Sequence, residues 1–260
     1  MVLGLFRVLC FALLFFGCSQ VERDNPDDEM AINYNPNAYV TYSSSSRNSS
    51  SSFRSSSSSV VSQSGVIYGN PVTYEGETYP TVVIGTQTWF ARNLNYAVEG
   101  SECYNNSESN CNEYGQLYNW ATAMNLPSSC NSNSCSNQIQ SPHRGICPSG
   151  WHIPNDDDWN VLMNQVGGSS TAGKHLKSKS GWEPYSGIEN LDTYGFSALP
   201  GGYGRSGGSF YDVGGNGYWW SASEYGSDIA YYRYMDYYLD SAYWISNFKI
   251  GLFSVRCVQD

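Results

Sequence analysis

The sequence predicts an α+β domain of short antiparallel strands, one or two short-to-medium helices, and long loops fastened by disulfides. Three observations point there. Charged residues make up only 14% of the chain while aromatics reach 15% and glycines number 26, which suits brief strands and many turns better than long amphipathic helices. Beyond Asp192, short aromatic and β-branched runs recur between glycine-rich breaks. Six cysteines lie between Cys103 and Cys257, the even set expected of an exported chain that closes its loops covalently.

The organisation is read from the amino terminus. Residues 1–17 carry one basic side chain, Arg7, ahead of the apolar run Val8 to Phe16, which has the length of a signal segment and is too short to span a bilayer. Leu14-Phe-Phe-Gly-Cys18 resembles a bacterial lipobox, which implies lipidation of Cys18 and an exported protein anchored at the outer membrane or cell surface. An ordinary signal peptide would instead leave a free thiol at Cys18. Residues 18–65 form a serine-rich tether with too little apolar surface to offset the entropy of ordering. As a flexible coil it reaches roughly 35 to 40 Å. Residues 66–260 are long enough for one domain with its own core.

The formal net charge of -10 leaves no basic stripe to displace counterions, so nucleic acid is excluded as a partner. Cys10 leaves with the signal and Cys18 takes the lipid, so Cys103, Cys111, Cys130, Cys135, Cys147 and Cys257 remain. Six cysteines allow about fifteen pairings. Proximity favours Cys103 with Cys111 and Cys130 with Cys135, leaving Cys147 for Cys257. No Cys-x-x-Cys pair occurs and the three histidines are scattered, so neither a metal nor a cofactor is expected.

Within the domain, Tyr79 to Ile84 and Gln87 to Phe90 read as a hairpin turning at Gly85-Thr86. Leu117, Trp120, Ala121 and Met124 are spaced for a short helix over Tyr114 to Met124, with Trp120 in the core. Pro154-Asn155-Asp-Asp-Asp158 is a helix start with a capping asparagine and acids at the positive helix end. Trp159, Leu162, Met163 and Val166 form its buried stripe, and Gly167-Gly168 stops it. Lys174 to Ser178 adds a helical turn. Strands follow at Phe196 to Leu199, Gly217 to Ala222, Ile229 to Met235, Trp244 to Lys249 and Phe253 to Val258. Alternation places Ala230, Tyr232 and Tyr234 on one face, Tyr231, Arg233 and Met235 on the other, and one of Trp219 and Trp220 inside.

Five ordered motifs carry a family likeness: Tyr79-Pro-Thr-Val-Val-Ile-Gly-Thr-Gln-Thr-Trp-Phe-Ala-Arg-Asn-Leu-Asn-Tyr96, Tyr114-Gly-Gln-Leu-Tyr-Asn-Trp-Ala-Thr-Ala-Met124, Cys147-Pro-Ser-Gly-Trp-His-Ile-Pro154, Tyr194-Gly-Phe-Ser-Ala-Leu-Pro-Gly-Gly-Tyr203 and Phe253-Ser-Val-Arg-Cys-Val258. Together, over about Val72 to Val258, they resemble the Fibrobacter succinogenes major paralogous domain. That family is similar to the C-type-lectin-like fold in the form used by formylglycine-generating enzymes, whose helix-start motif resembles Ile153-Pro-Asn-Asp-Asp-Asp-Trp159. The resemblance implies that a Cys147–Cys257 bridge fastens the end of the chain to the core. It does not transfer activity. The paired copper-binding cysteines of those oxidases have no counterpart after Cys147 except Cys257. The calcium motifs of sugar-binding lectins are also missing, since Glu183-Pro184 runs into Tyr185.

Weaker signals have bland explanations. Gly202-Tyr-Gly-Arg-Ser-Gly207 and Gly204-Arg-Ser-Gly-Gly208 match phosphate-loop and nucleophile-elbow patterns, but neither precedes a predicted helix. His152 reads as a satisfied, half-buried histidine, and Asp156, Asp157 and Asp158 as helix-end acids. Glu183, Glu189 and Glu224 would make a glycosidase pair only if the fold brought two together.

The richest candidate is the aromatic group Tyr211, Trp219, Trp220, Tyr225, Tyr231, Tyr232, Tyr234, Tyr237, Tyr238, Tyr243 and Trp244. Such rings stack on sugars and anchor interfaces. Of these, Tyr225, Tyr237, Tyr238, Tyr243 and Trp244 are expected to bind. The expected function is a non-catalytic surface lipoprotein that holds a polysaccharide or a surface protein and touches the membrane only through its lipid. An enzyme related to formylglycine-generating or sulfatase-modifying activities is the alternative, and a structural envelope component the third reading.

Overall fold

The hairpin read around Gly85-Thr86 forms as expected, pairing Thr81–Ile84 with Gln87–Phe90 and placing Ile84 opposite Gln87. It belongs to a computed structural model that describes residues 60, 61 and 65–260. The signal segment, Cys18 and nearly all of the tether lie outside the described residues. In chain order the strands are β1 Val60–Val61, β2 Ile67–Tyr68, β3 Val72–Tyr74, β4 Glu77–Tyr79, β5 Thr81–Ile84, β6 Gln87–Phe90, β7 Ser101–Glu102, β8 Leu117–Tyr118, β9 Trp151–His152, β10 Gly201–Gly204, β11 Phe210–Val213, β12 Asn216–Glu224, β13 Ile229–Asp236, β14 Tyr243–Phe248 and β15 Val258–Gln259. The helices are α1 Glu108–Tyr114, α2 Trp120–Ala123, α3 Asp156–Gln165 and α4 Ser169–Leu176. None of them is long and apolar enough to cross a membrane.

Two sheets frame the domain, one in the order β1-β2-β5-β6-β15-β9 and one in the order β11-β10-β12-β13-β14. Pairing is antiparallel except between β10 and β12. The mixed helix and sheet content makes this an α+β domain, as the composition predicts.

Strand β12 at the centre of the five-stranded sheet is buried on both faces, which corrects the expectation that only one of Trp219 and Trp220 lies inside. Both are 0% exposed. Trp219 and Met235 pack with Trp159, Leu162 and Met163 of α3, while Trp220 and Tyr232 pack with Phe90, Trp120, Trp151 and Phe253 on the opposite side. Helix α3 is the best-read element. Asn155 accepts from the Asp158 N–H, Asp158 accepts from the Asn155 N–H, and this reciprocal cap fixes the first turn.

Three other expectations change. The single helix over Tyr114 to Met124 is interrupted: Tyr114 ends α1, Gly115 takes φ 81°, Leu117–Tyr118 pairs with β7, and the helix resumes only over Trp120–Ala123. The Tyr118 N–H donates to the Phe253 carbonyl, so long-range pairing overrides the helical spacing. Phe196 to Leu199 holds one bridge, Ala198 to Lys177, and the strands on that side are the unread β10 and β11. Phe253 to Val258 threads between the sheets on isolated bridges, and only its end pairs as β15.

The disulfides join Cys103 to Cys111, Cys130 to Cys135 and Cys147 to Cys257, the set that proximity favours. Beside the last bridge lies Arg256, 0% exposed. Its guanidinium donates to the carbonyls of Phe90, Phe196 and Ser197 and to Asn93 Oδ1. Asn93 Oδ1 also accepts from the Trp219 indole, and its amide donates to the Tyr114 carbonyl. One arginine and one asparagine thus tie the hairpin, the 192–197 loop, the inner sheet and the terminal segment together.

Candidate ligand groove

A polar loop, residues 136–146, runs from the second disulfide to Cys147 and roofs two adjoining clefts. The wider has a volume of 770 Å³ and the narrower 450 Å³, both within the usual range for ligand sites. Gln140 and His143 line both, so the two clefts adjoin at this loop and are treated together as one groove.

Hairpin β3–β4 brings Tyr74 to the wide part, where its ring meets Tyr96 edge-on at 5.3 Å. Burial raises the Tyr74 pKa, and the nearby Arg144 guanidinium opposes that rise. Gln138, Thr122 and Asn125 add neutral donors and acceptors, Val98, Met124, Leu126 and Ile146 an apolar floor, and Glu75 and Glu99 two carboxylates. The His143 ring is fixed: Nδ1 accepts from the Gln140 N–H at 3.0 Å and Nε2 donates to the Met124 carbonyl at 2.7 Å.

Asp156, Asp157 and Glu224 line the narrow part. Two of these carboxylates, Asp156 and Glu224, are engaged by internal donors. Asp156 accepts from Ser221 Oγ at 2.7 Å and from the Trp244 indole at 3.0 Å, and burial raises its pKa. Glu224 accepts from Lys249 Nζ, from Ser134 Oγ at 2.6 Å and from the Cys135 N–H at 2.9 Å. Lys249 is 0% exposed, lies 4.5 Å from the Trp120 ring centre, and also donates to the Ser227 carbonyl. This buried pair pins the Cys130–Cys135 loop to the ends of β12 and β14.

A pH dependence follows. Burial alone would raise the Glu224 pKa, but Lys249, Ser134 and the Cys135 N–H overcome it and lower it. A lowered folded-state pKa contributes stability above the unfolded carboxylate value of about 4.3, and that contribution is lost as pH falls through the folded value. Melting curves should therefore show wild type losing stability on acidification below about pH 4.3, with Glu224→Gln less stable at neutral pH and less acid-sensitive. Equal acid sensitivity in the two proteins would show that the pair contributes nothing.

The five aromatics expected to bind fall into three groups. Tyr237 and Tyr238 meet Tyr185, which the sequence reading missed and which is 53% exposed. Tyr225 packs edge-on against Tyr231, and Tyr231 stacks on Trp244 at 4.4 Å. Tyr243 contacts Tyr234. Tyr243 and Trp244 are neighbours in β14 and point to opposite faces.

Other signals resolve into structure. His152 is held between Asp158 and Asp260, and although burial alone would lower its pKa, these two partners raise it. Glu183 and Glu189 are exposed and line neither cleft. Gly201–Gly204 leads through a turn into strand β11, not into a helix, so neither glycine motif has its required context. The groove residues Gln138, Gln140, His143 and Arg144 were missed because they sit in a loop without periodicity. The usable signal was the length of that polar loop between two cysteines.

A family model described as the Fibrobacter succinogenes major domain matches residues 82–259. The chain belongs to this family. All six paired cysteines of this Fibrobacter succinogenes major domain fall within the match, as do Asn93, Arg256 and the loop that roofs the groove. Hairpin β3–β4 precedes it, so Tyr74 and Glu75 add a wall from outside the family match. No curated protein and no solved structure matches the chain.

Proposed function

We propose that this protein is a non-catalytic, lipid-anchored surface protein whose head holds an uncharged glycan in the groove beneath loop 136–146. The leader, Cys18 and the serine-rich tether supply the address and the reach. The observation that carries the reading is a groove lined by Tyr74, Tyr96 and neutral amides, whose inner carboxylates Asp156 and Glu224 are already taken by internal donors. Aromatic faces and amides suit sugar rings, and the two inner carboxylates serve internal hydrogen bonds that hold β12, α3 and the Cys130–Cys135 loop together.

We read the head as C-type-lectin-like in its finer architecture. The terminal strand β15 pairs with β6 of the first hairpin, and the Cys147–Cys257 bridge closes the chain over a separation of 110 residues. Against an activity of the formylglycine-generating kind stands the state of the sulfurs. The six cysteines from Cys103 to Cys257 are all in disulfides, which leaves none of them as a thiolate ligand for copper.

The test is affinity electrophoresis of the full exported protein through gels containing uncharged or uronate-rich polysaccharides. At least one uncharged polymer should retard it, and Tyr96→Ala should weaken that retardation at least fivefold, the loss expected of a buried aromatic anchor worth more than about 1 kcal/mol. Unretarded migration in every gel by a folded protein would end the proposal.

A further inference from the structure

We infer that the groove does not end at Glu224 but continues onto the Tyr225–Tyr231–Trp244 stack, so that one extended row of subsites holds a long uncharged polysaccharide along its length. The inference rests on the glycan reading above and adds to it the length and charge of the ligand.

Three observations carry it. The wide and narrow parts share Gln140 and His143, which places Tyr74 and Glu224 at the outer ends of two adjoining clefts. The narrow part is joined to the stack twice: Asp156 in its wall accepts from the Trp244 indole, and Tyr225 directly follows Glu224 at the end of β12. The stack itself is aromatic and partly exposed. Tyr231 and Trp244 lie 22° from parallel, and Tyr225, 49% exposed, stands against Tyr231 at 5.2 Å.

The charges choose the kind of chain. Glu75 and Glu99 stand in the wide part and Asp156 and Asp157 in the narrow part, where Glu224 is neutralised by Lys249, against Arg144 as the one arginine or lysine lining either. A uronate or sulfated polymer threaded along this path would meet carboxylates at both ends. A neutral chain meets aromatic faces, amides and hydroxyls throughout.

The experiment uses the full exported protein and oligomers, from disaccharide to octasaccharide, of an uncharged glucan, mannan and xylan, with titration calorimetry as the readout. For the polymer that binds, affinity should keep rising beyond the tetrasaccharide. Tyr225→Ala should lower the octasaccharide affinity about five- to tenfold, the scale of one aromatic anchor, and leave the affinity for the shortest binding oligomer unchanged. Tyr225→Phe, which keeps the ring, should bind the octasaccharide as wild type does, and both variants should melt with wild type. Affinity that levels off at the trisaccharide, or an octasaccharide affinity indifferent to Tyr225→Ala, would overturn the extended row while leaving glycan binding in place. Binding only to a uronate polymer or to a polypeptide would overturn the charge argument, and no binding to any sugar would remove the glycan reading with it.

Discussion

Replacing Cys147 and Cys257 together by alanine should lower the stability of the head by about 4 to 5 kcal/mol, the largest loss expected of any pair of substitutions away from the ligand. The bridge closes a loop across 110 residues, and in the chain-entropy model the benefit grows with the logarithm of loop length. The same reasoning gives about 2 to 2.5 kcal/mol for the short loops, whose separations are 8 and 5 residues. In a domain of this size the long bridge corresponds to a fall in melting temperature of roughly 10 to 20 °C. Cys257 lies on the segment that threads between the sheets, and it, its partner Cys147 and the preceding Arg256 are all 0% exposed. Freed of the bridge, the terminal segment would still be hydrogen-bonded, so the double variant should fold at low temperature and melt early. Thermal unfolding of the double variant beside the Cys103–Cys111 and Cys130–Cys135 double variants checks the ranking. A Cys147–Cys257 loss no larger than the other two would contradict it.

The second large effect is at Arg256. Arg256→Met should cost about 3 to 5 kcal/mol, because it leaves the carbonyls of Phe90, Phe196 and Ser197 and the side-chain oxygen of Asn93 short of a buried donor. Burial pushes the Arg256 pKa down, while the nearby Asp192 carboxylate favours the charged form. Asp192 in turn accepts from the Ser197 N–H and hydroxyl, which shapes the loop that presents two of those carbonyls. The site needs a planar fork, with Nη1 serving Phe90 and Phe196 and Nη2 serving Asn93 and Ser197. Arg256→Lys should therefore restore only part of the loss, since a single ammonium cannot reach both sides. Chemical denaturation of the three proteins gives the order wild type, lysine, methionine. A lysine variant as stable as wild type would show that charge alone matters there.

These features mark the limit of what is legible in the chain. Hairpin β5–β6 and helix α3 were readable because their signals are local: a glycine turn between β-branched runs, and a capping asparagine followed by acids and a stripe at helical spacing. The two short disulfides were readable from proximity in sequence, and the long one as the pair that remained and that the family resemblance implied. The break of the expected helix at Gly115 was not, because Leu117 and Tyr118 are claimed by partners at Ser101, Glu102 and Phe253. Nor was the burial of Trp219 and Trp220 together, which needs a core on each face of one sheet. Arg233, Lys177, Lys249 and Arg256 are all 0–1% exposed although charged residues are normally outside. Each is held by acceptors distant in sequence, such as Asp236 and Leu239 carbonyls for Lys177. Of the groove, the sequence marked Glu224 and the acids of α3, while the Tyr225 and Trp244 rings it also marked line neither cleft. The loop that completes it carries no pattern, and hairpin β3–β4 had not been read.

Amide hydrogen exchange on the intact protein, with and without a saturating uncharged polysaccharide, tests most directly whether recognition belongs to the groove. Protection should appear in residues 96–99, 122–126 and 138–146, and the Tyr185–Tyr237–Tyr238 patch should exchange as before. Protection confined to that patch, with the 138–146 loop unchanged, would place the binding face elsewhere.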